Sequence, residues 1–247
     1  MSILSSELIV YGSANLPQDD VAASGGAIDA TRRPALSQMT ANATITVVSD
    51  TAGDTARSIT IQYRDATGAI QSETLAVTGT TSVHTVGTAE RILTAYMSGT
   101  HATATVTVSQ TGGGTLSTIP PLEIGFYVNF INSASDPSLA KDRYEKISWK
   151  NTNGTLTLTS AQVTLTADPS GKLTMGVAAA VNDTVSVANR LTAPAGVTFV
   201  GVGVAQNVPG GNIAAGSYIG TWIHQALLAG DAAIRQPYTT QLSGNTI

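Results

Sequence analysis

The stretch KDRYEKISWKNT, residues 141–152, decides how the fold is predicted. It carries six charged residues, although charged residues make up only 11% of the chain. From Lys146 to Lys150, polar and apolar residues alternate, which is the pattern of a strand with one buried face. Residues 151–154 then read Asn-Thr-Asn-Gly, a turn sequence that leads into another alternating run. The stretch therefore predicts an early strand and hairpin of a C-terminal β domain.

The same alternating pattern extends through the rest of the chain. Its clearest example is a hairpin in which Ser58–Tyr63 and Ala69–Thr78 flank a turn at Asp65–Gly68. Abundant Thr and Val favour strands, because a branched Cβ restricts χ1. Further strands are predicted over residues 44–48, 82–86, 90–97, 101–109, 122–131, 155–166, 173–181, 198–205 and 218–228. Short strands at such regular spacing are typical of a sandwich or barrel.

The predicted organisation is an extended N-terminal arm followed by two β-sandwich or barrel-like domains. The Gly112–Gly114 run and the Pro120-Pro121 pair place a boundary between a first domain over 36–118 and a second over 119–247. Residues 1–35 contain a single apolar run, Leu8–Tyr11, and too little apolar surface to fold alone. We expect this arm either to fray or to add a strand to a sheet edge of another subunit. Removing residues 1–30 should then leave the C-terminal domain folded.

Composition narrows the functional classes. A length of 247 residues is enough for one or two domains with sizeable cores. The net charge of −4 argues against a nucleic-acid surface, which is usually basic. The absence of cysteine excludes disulfides and thiolate zinc sites. No apolar run approaches the roughly 18 residues of a membrane helix, and no secretory signal pattern begins the chain, so we expect synthesis in a cytoplasm and no membrane partner.

No group of residues predicts catalysis, a cofactor or a metal. Each of the three histidines, His84, His101 and His224, lies in a β pattern without further ligands at suitable spacing. Asp50 and Asp54 share a loop that lacks the closing Glu of a calcium loop, so a solvated turn is the favoured interpretation. Serines occur without the Gly-x-Ser-x-Gly context of a hydrolase nucleophile. We therefore expect a protein that is not an enzyme.

The charged stretch has two interpretations. Its basic residues are either the solvated face of an edge strand, where charge deters aggregation, or a contact between subunits, where Arg, Tyr and Trp are enriched. The second interpretation is extended to the apolar run of the arm. The predicted subunit-contact residues are Arg143, Tyr144, Lys146, Trp149, Lys150, Leu8, Ile9, Val10 and Tyr11.

Three parts of the sequence resemble structural proteins of tailed bacteriophage particles. The first is SELIVYGSANLP at residues 6–17 together with SGGAID at residues 24–29. The second is RYEKISWKNT at residues 143–152, inside the charged stretch, and the third is AGSYIGTW at residues 215–222. The segments between them match only in general character, and the resemblance carries over no catalytic residues.

The resemblance implies a structural protein of the virion, made in the host cytoplasm. Capsid decoration, as by a cement protein, is the leading expectation, with a neck, collar or tail component as the alternative. The implied partners are other copies of the chain, as a homo-oligomer, and further virion proteins, either the major capsid protein or neck and tail proteins. A receptor- or carbohydrate-binding β module is a separate alternative, which would need exposed aromatic side chains over a polar groove.

Overall fold

A computed structural model describes residues 2–34, 36–131, 136, 138–231 and 237–246 of the chain. Within these residues the fold is all-β, with nineteen strands, two short 3₁₀ helices and no α-helix. The prediction of an all-β, sandwich-type chain is confirmed. The chain divides into two compact units, an inserted unit over Ala30–Val128 and a discontinuous unit made of Met1–Asp29 and Asn129–Ile247.

The inserted unit contains two antiparallel sheets, apart from one parallel pair. Its strands are β3 (Arg32–Arg33), β4 (Ile45–Ser49), β5 (Ser58–Arg64), β6 (Ile70–Ala76), β7 (Val83–His84), β8 (Arg91–Met97), β9 (Val106–Gln110), β10 (Thr115–Ile119) and β11 (Gly125–Tyr127). One sheet has the order β10-β9-β4-β7 and the other the order β3-β11-β8-β5-β6. Inward residues of both sheets, such as Ile45, Ile61 and Val108, form one apolar core.

The discontinuous unit also contains two sheets. Its strands are β1 (Leu8–Asn15), β2 (Ser24–Asp29), β12 (Lys141–Asn151), β13 (Leu158–Ala167), β14 (Leu173–Val181), β15 (Ser186–Val187), β16 (Ala205–Asn207), β17 (Asn212–Ile213), β18 (Tyr218–Leu227) and β19 (Thr239–Thr246). The six-stranded sheet has the order β14-β18-β12-β1-β2-β15. In the second sheet β13 pairs with β16, β17 and β19. Apolar residues between the sheets, including Ile147, Val163 and Ile223, form the core.

Several local predictions are confirmed because neighbouring residues alone specify them. The hairpin of β5 and β6 forms with an unbroken register from Ser58↔Ala76 to Arg64↔Ile70. Gly68 adopts φ +83° in its turn, and Gly171 adopts φ +64° between β13 and β14. The strands predicted over 122–131 and 198–205 are much shorter, reduced to β11 and to the start of β16.

The domain boundaries differ from the predicted ones. Residues 1–29 do not form a separate arm, because β1 and β2 are interior strands of the six-stranded sheet. Arg32 and Arg33 belong to the inserted unit, where β3 pairs with β11. The inserted unit continues past the two prolines to Val128, because Phe126 of β11 is buried in its core.

Candidate functional site

The charged stretch forms β12, an interior strand of the six-stranded sheet. On one side β12 pairs with β18 over ten residues, from Lys141↔Leu227 to Lys150↔Tyr218. On the other side its C-terminal half pairs with β1, from Leu8↔Asn151 to Tyr11↔Ser148. Of the residues predicted as subunit contacts, Ile9 and Val10 are therefore cross-strand partners of Lys150 and Trp149 within one chain.

The N-terminal half of β12 faces a cluster of buried charges instead of a full strand. Asp20, in the loop between β1 and β2, accepts two hydrogen bonds from the Arg143 guanidinium, at 2.6 and 3.1 Å. Lys141 donates a third at 3.2 Å. Burial of Asp20 favours its neutral form, but the hydrogen bonds and charges of Arg143 and Lys141 outweigh burial and hold the pKa of this carboxyl below its ordinary value.

Arg190 fixes the N-terminal residues to β12 through its backbone and its side chain. Its backbone N–H donates to the Asp20 carbonyl at 3.1 Å, and its carbonyl accepts from the Tyr144 N–H at 2.8 Å. Its guanidinium donates to the Leu16 carbonyl and lies 3.5 Å from the Glu145 carboxylate. We call Leu16, Asp20, Arg143, Glu145 and Arg190 the charged joint.

Glu145 is the most deeply buried acid of the charged joint, with 3% of its side chain exposed. Its carboxylate accepts a hydrogen bond from the Phe130 N–H at 2.9 Å. Burial raises the pKa of Glu145 to about 7, although Arg190, the Phe130 N–H and Arg143 each favour the charged form. Burial likewise raises the pKa of Tyr238, whose hydroxyl accepts a hydrogen bond from the Asn129 amide.

Lys146, on the opposite face of β12, is the second buried basic residue of the strand. Its side chain is fully buried, and its amine donates to the Asp183 carboxylate at 2.6 Å. The carbonyls of Gly26, Asp183 and Val185 lie 3.0 to 3.3 Å from the same nitrogen. Desolvation lowers the pKa of Lys146, against the stabilising effect of Asp183 on the charged form. The amine thus ties β12 to the N-terminal residues and to the loop after β14.

The structure corrects both interpretations of the charged stretch. Arg143 and Lys146 are buried in ion pairs within the chain, so they form neither a solvated edge nor an exposed subunit contact. Tyr144, Trp149 and Lys150 are half-buried, as are Leu8, Ile9 and Val10, while Tyr11 is buried. The physical reason is the pairing with β1, which turns a predicted edge strand into an interior one.

Sequence reasoning missed the partners of the buried basic residues. Asp20 and Asp183 are the acidic partners of Arg143 and Lys146, and neither of them was assigned a role from the sequence. One signal was available for Glu145. The alternation that buries Ile147 and Trp149 places Arg143 and Glu145 on the same face when it is extended backwards along β12. Nothing in the sequence indicated Arg190, which lies 45 residues beyond Glu145.

Three ring side chains cluster around a cross-strand pair of β12 and β18, Tyr144 and His224. Tyr144 stacks on His224 with ring centroids 4.7 Å apart and an angle of 11° between the planes. Phe199 lies 5.4 Å from His224 and 5.5 Å from Tyr144, tilted to both. All three rings are partly exposed. We call these three residues the aromatic cluster.

His224 connects a hydroxyl to a carboxylate. Its Nδ1 lies 2.9 Å from Thr174 Oγ1 and its Nε2 lies 2.8 Å from Asp142 Oδ1. The order hydroxyl, imidazole, carboxylate is the one that activates a nucleophile in hydrolases. In those enzymes the acid is buried, whereas the side chain of Asp142 is 58% exposed and water screens its charge. The exposed carboxylate of Asp142 therefore differs from the buried acid of such a triad.

The remaining candidate metal ligands, Asp50 and Asp54, form hydrogen bonds and an ion pair with other protein groups. Asp50 accepts from Thr51 and from the Thr105 N–H, and Asp54 pairs with Arg57. Within the described ranges, which omit residues 1, 35, 132–135, 137, 232–236 and 247, no three His, Asp or Glu side chains converge as metal ligands. The helices in this described part of the chain are all too short to span a membrane. No protein-family model matches the chain, and no curated protein sequence is significantly similar to it.

Proposed function

We propose that this chain is a non-enzymatic structural protein of a tailed-phage virion, with capsid decoration as its role and other virion proteins as its partners. The observation that carries the proposal is that buried ion pairs join distant segments of the chain. Asp20 pairs with Arg143, Glu145 with Arg190 and Lys146 with Asp183, and each pair joins segments that are distant in sequence. Removing one partner of such a buried pair is strongly destabilising, so each pair holds its two segments together.

The phage resemblance adds the context of the virion. The matching stretches at residues 6–17, 24–29, 143–152 and 215–222 become β1, β2, β12 and β18. These four strands are consecutive in the six-stranded sheet, in the order β18-β12-β1-β2. The resemblance therefore follows one contiguous structural element rather than scattered surface residues.

Exposed apolar side chains beside the charged joint offer a surface for contact with a neighbour. Val21 follows Asp20 and is 78% exposed, and Leu191 follows Arg190 and is 44% exposed. Leu139 precedes Lys141 by two residues and is 63% exposed. Large exposed apolar residues at one place on a surface mark protein–protein contacts.

Binding of the purified chain to phage heads that lack decoration tests the proposal. We expect saturable binding with a fixed number of copies per head, measured by sedimentation and quantitative gel densitometry. Val21→Asp and Leu191→Asp should weaken binding without changing the folded state. Binding to purified necks or tails with no binding to heads would move the protein to that part of the particle, and a chain that binds none of these would contradict the proposal.

The aromatic cluster supports a second candidate function, carbohydrate binding. Tyr144, Phe199 and His224 provide partly exposed rings, and Asp142 and Thr174 provide hydrogen-bonding groups beside them. Sugars are recognised by this combination of stacking and directed polar contacts. A glycan array read with the wild-type chain and with Tyr144→Ala/Phe199→Ala tests it. Equal signals for both proteins would exclude the cluster as a glycan site.

A further inference from the structure

Residues 2–29, the N-terminal segment, are complementary in charge to the strand that receives them. The segment contains four acidic residues, Glu7, Asp19, Asp20 and Asp29, and no Lys or Arg. The receiving strand β12 contains four basic residues and two acidic ones, and Arg190 adds a further positive charge beside it. Opposite charge of this kind steers association and fixes register.

The N-terminal segment is anchored at both ends. At its start the Thr152 N–H donates to the Glu7 carbonyl at 2.7 Å, and the Asn153 amide donates to the Glu7 carboxylate at 2.9 Å. Toward its other end, Asp20 binds Arg143 and the Gly26 carbonyl accepts from Lys146. Between the anchors, Leu8–Tyr11 pairs with residues 148–151 of β12.

A short turn connects the N-terminal segment to the inserted unit. The segment ends with β2 at Asp29, and the next residues, Ala30 and Thr31, form a turn before β3 of the inserted unit. Every contact described above is made with residues beyond 140, on the far side of the inserted unit in sequence. A second copy of the chain presents the same partners, so exchange of the segment changes only the connection at residues 30–31.

We propose that β12 and Arg190 form a receptor for the N-terminal segment of a second copy, so that copies are joined by exchange of this segment. The inference rests on the proposed assembly function and names the contact that assembly uses. The segment lacks a core of its own, so it is ordered only where it docks. The surface that receives it is specified by charge and by strand register, and the same surface receives the segment within one chain when no second copy is near.

Cysteine trapping tests the exchange directly, because the natural chain contains no cysteine. Ile9 and Lys150 are cross-strand partners in β1 and β12, and both are half-buried. The Cα atoms of directly opposed antiparallel residues lie about 4.5–5.5 Å apart, which suits a disulfide. One chain carries Ile9→Cys and another carries Lys150→Cys, so a disulfide between the two positions requires pairing between copies.

The two variants are mixed at high protein concentration in mild denaturant, returned to buffer and oxidised. We expect a covalent heterodimer, identified by peptide mass spectrometry of the linked β1 and β12 peptides, in several-fold excess over a control pair. The control pair combines Ile9→Cys with Thr107→Cys, a position in the inserted unit outside the register. Asp20→Asn in the Ile9→Cys chain should reduce the heterodimer yield.

The double variant Ile9→Cys/Lys150→Cys supplies the test within one chain. If it closes to an oxidised monomer while the mixture yields no more heterodimer than the control pair, the exchange is overturned. The oxidised double variant is also offered to undecorated heads. Loss of binding, restored by reduction, supports exchange as the assembly contact, and full binding overturns it while leaving the proposed function standing. If the wild-type chain does not bind heads but the mixed cysteine variants yield the heterodimer, the exchange is supported and the proposed function is contradicted.

Discussion

The two units bury charge in different ways. In the inserted unit the buried acids Asp54 and Glu123 pair with Arg57 and Arg33, whose side chains remain 30% and 28% exposed. The discontinuous unit also contains pairs in which both partners are buried, Lys146 with Asp183 and Arg190 with Glu145. These arginines keep contact with water, which can solvate their charge if the pair opens. A fully buried charge has no water to solvate it, so losing its partner is costly.

This difference follows from how each unit is built along the chain. The inserted unit is continuous, and its longest pairing is the local hairpin of β5 and β6. The discontinuous unit must bring residues 8–29 onto a strand more than a hundred residues later. Local turns specify the first arrangement, whereas the second needs long-range contacts that discriminate against other pairings. Buried ion pairs supply that discrimination.

The largest expected effect is the unfolding of one unit while the other stays folded. Removing residues 2–29 should unfold the discontinuous unit and leave the inserted unit folded, because β12 loses a neighbouring strand, Arg143 loses Asp20 and Lys146 loses the Gly26 carbonyl. Hydrogen exchange should show protection retained over residues 45–127 and lost over residues 141–227. Protection retained in both units would mean that the N-terminal segment contributes little, as the sequence alone suggested.

Breaking one fully buried ion pair should also strongly destabilise the discontinuous unit. Lys146→Met leaves the Asp183 carboxylate without its cation and should lower the free energy of unfolding by about 3–5 kcal/mol. Lys172→Met is the matched control, since the Lys172–Asp231 pair is partly exposed and such pairs contribute about 0–1 kcal/mol. Urea titration followed by tryptophan fluorescence measures both, and equal losses would contradict the distinction between buried and exposed pairs.

The discontinuous unit should become less stable as the pH rises from about 5 to 7.5. The pKa of Glu145 is raised to about 7 in the folded chain, so between the unfolded value of 4.5 and that value the folded state binds the proton more tightly. Unfolding then releases a proton, and the free energy of unfolding falls with pH by an amount on the order of 3 kcal/mol. Glu145→Gln should flatten this dependence in urea titrations, and an unchanged slope would refute it.

The smallest expected effect compares two glycines with nearly the same positive φ. Gly25, at φ +81°, lies where an added Cβ would be 2.5 Å from the Trp222 ring, whereas Gly68, at φ +83°, has open space around it. Gly68→Ala should cost about 1 kcal/mol through backbone strain alone. Gly25→Ala adds the clash and should cost about 1–3 kcal/mol more. Thermal unfolding of the two variants measures the difference, and equal losses would show that the ring moves freely.

The sequence predicted much of the fold and little of the candidate site. The hairpin around Gly68 and the strands over residues 155–166 and 173–181 were predicted because turn residues and alternation act over a few positions. The predicted separate arm and the edge-strand interpretation of Lys141–Asn151 were both wrong. The sequence of one strand does not identify the strand with which it pairs. Residues 8–11 and 148–151 each read as a strand, but neither identifies the other.

By itself, the sequence determined an all-β chain with short, regularly spaced strands and no disulfides. It also determined which face of residues 146–150 is apolar, because side chains alternate along any strand. Only the tertiary structure decided that these residues form an interior strand and that Asp20, Asp183 and Arg190 are the partners of its charges. The physical reason is distance along the chain. Alternation and turn chemistry act between near neighbours, whereas a buried charge is stabilised by whichever partner the fold brings within about 3 Å of it.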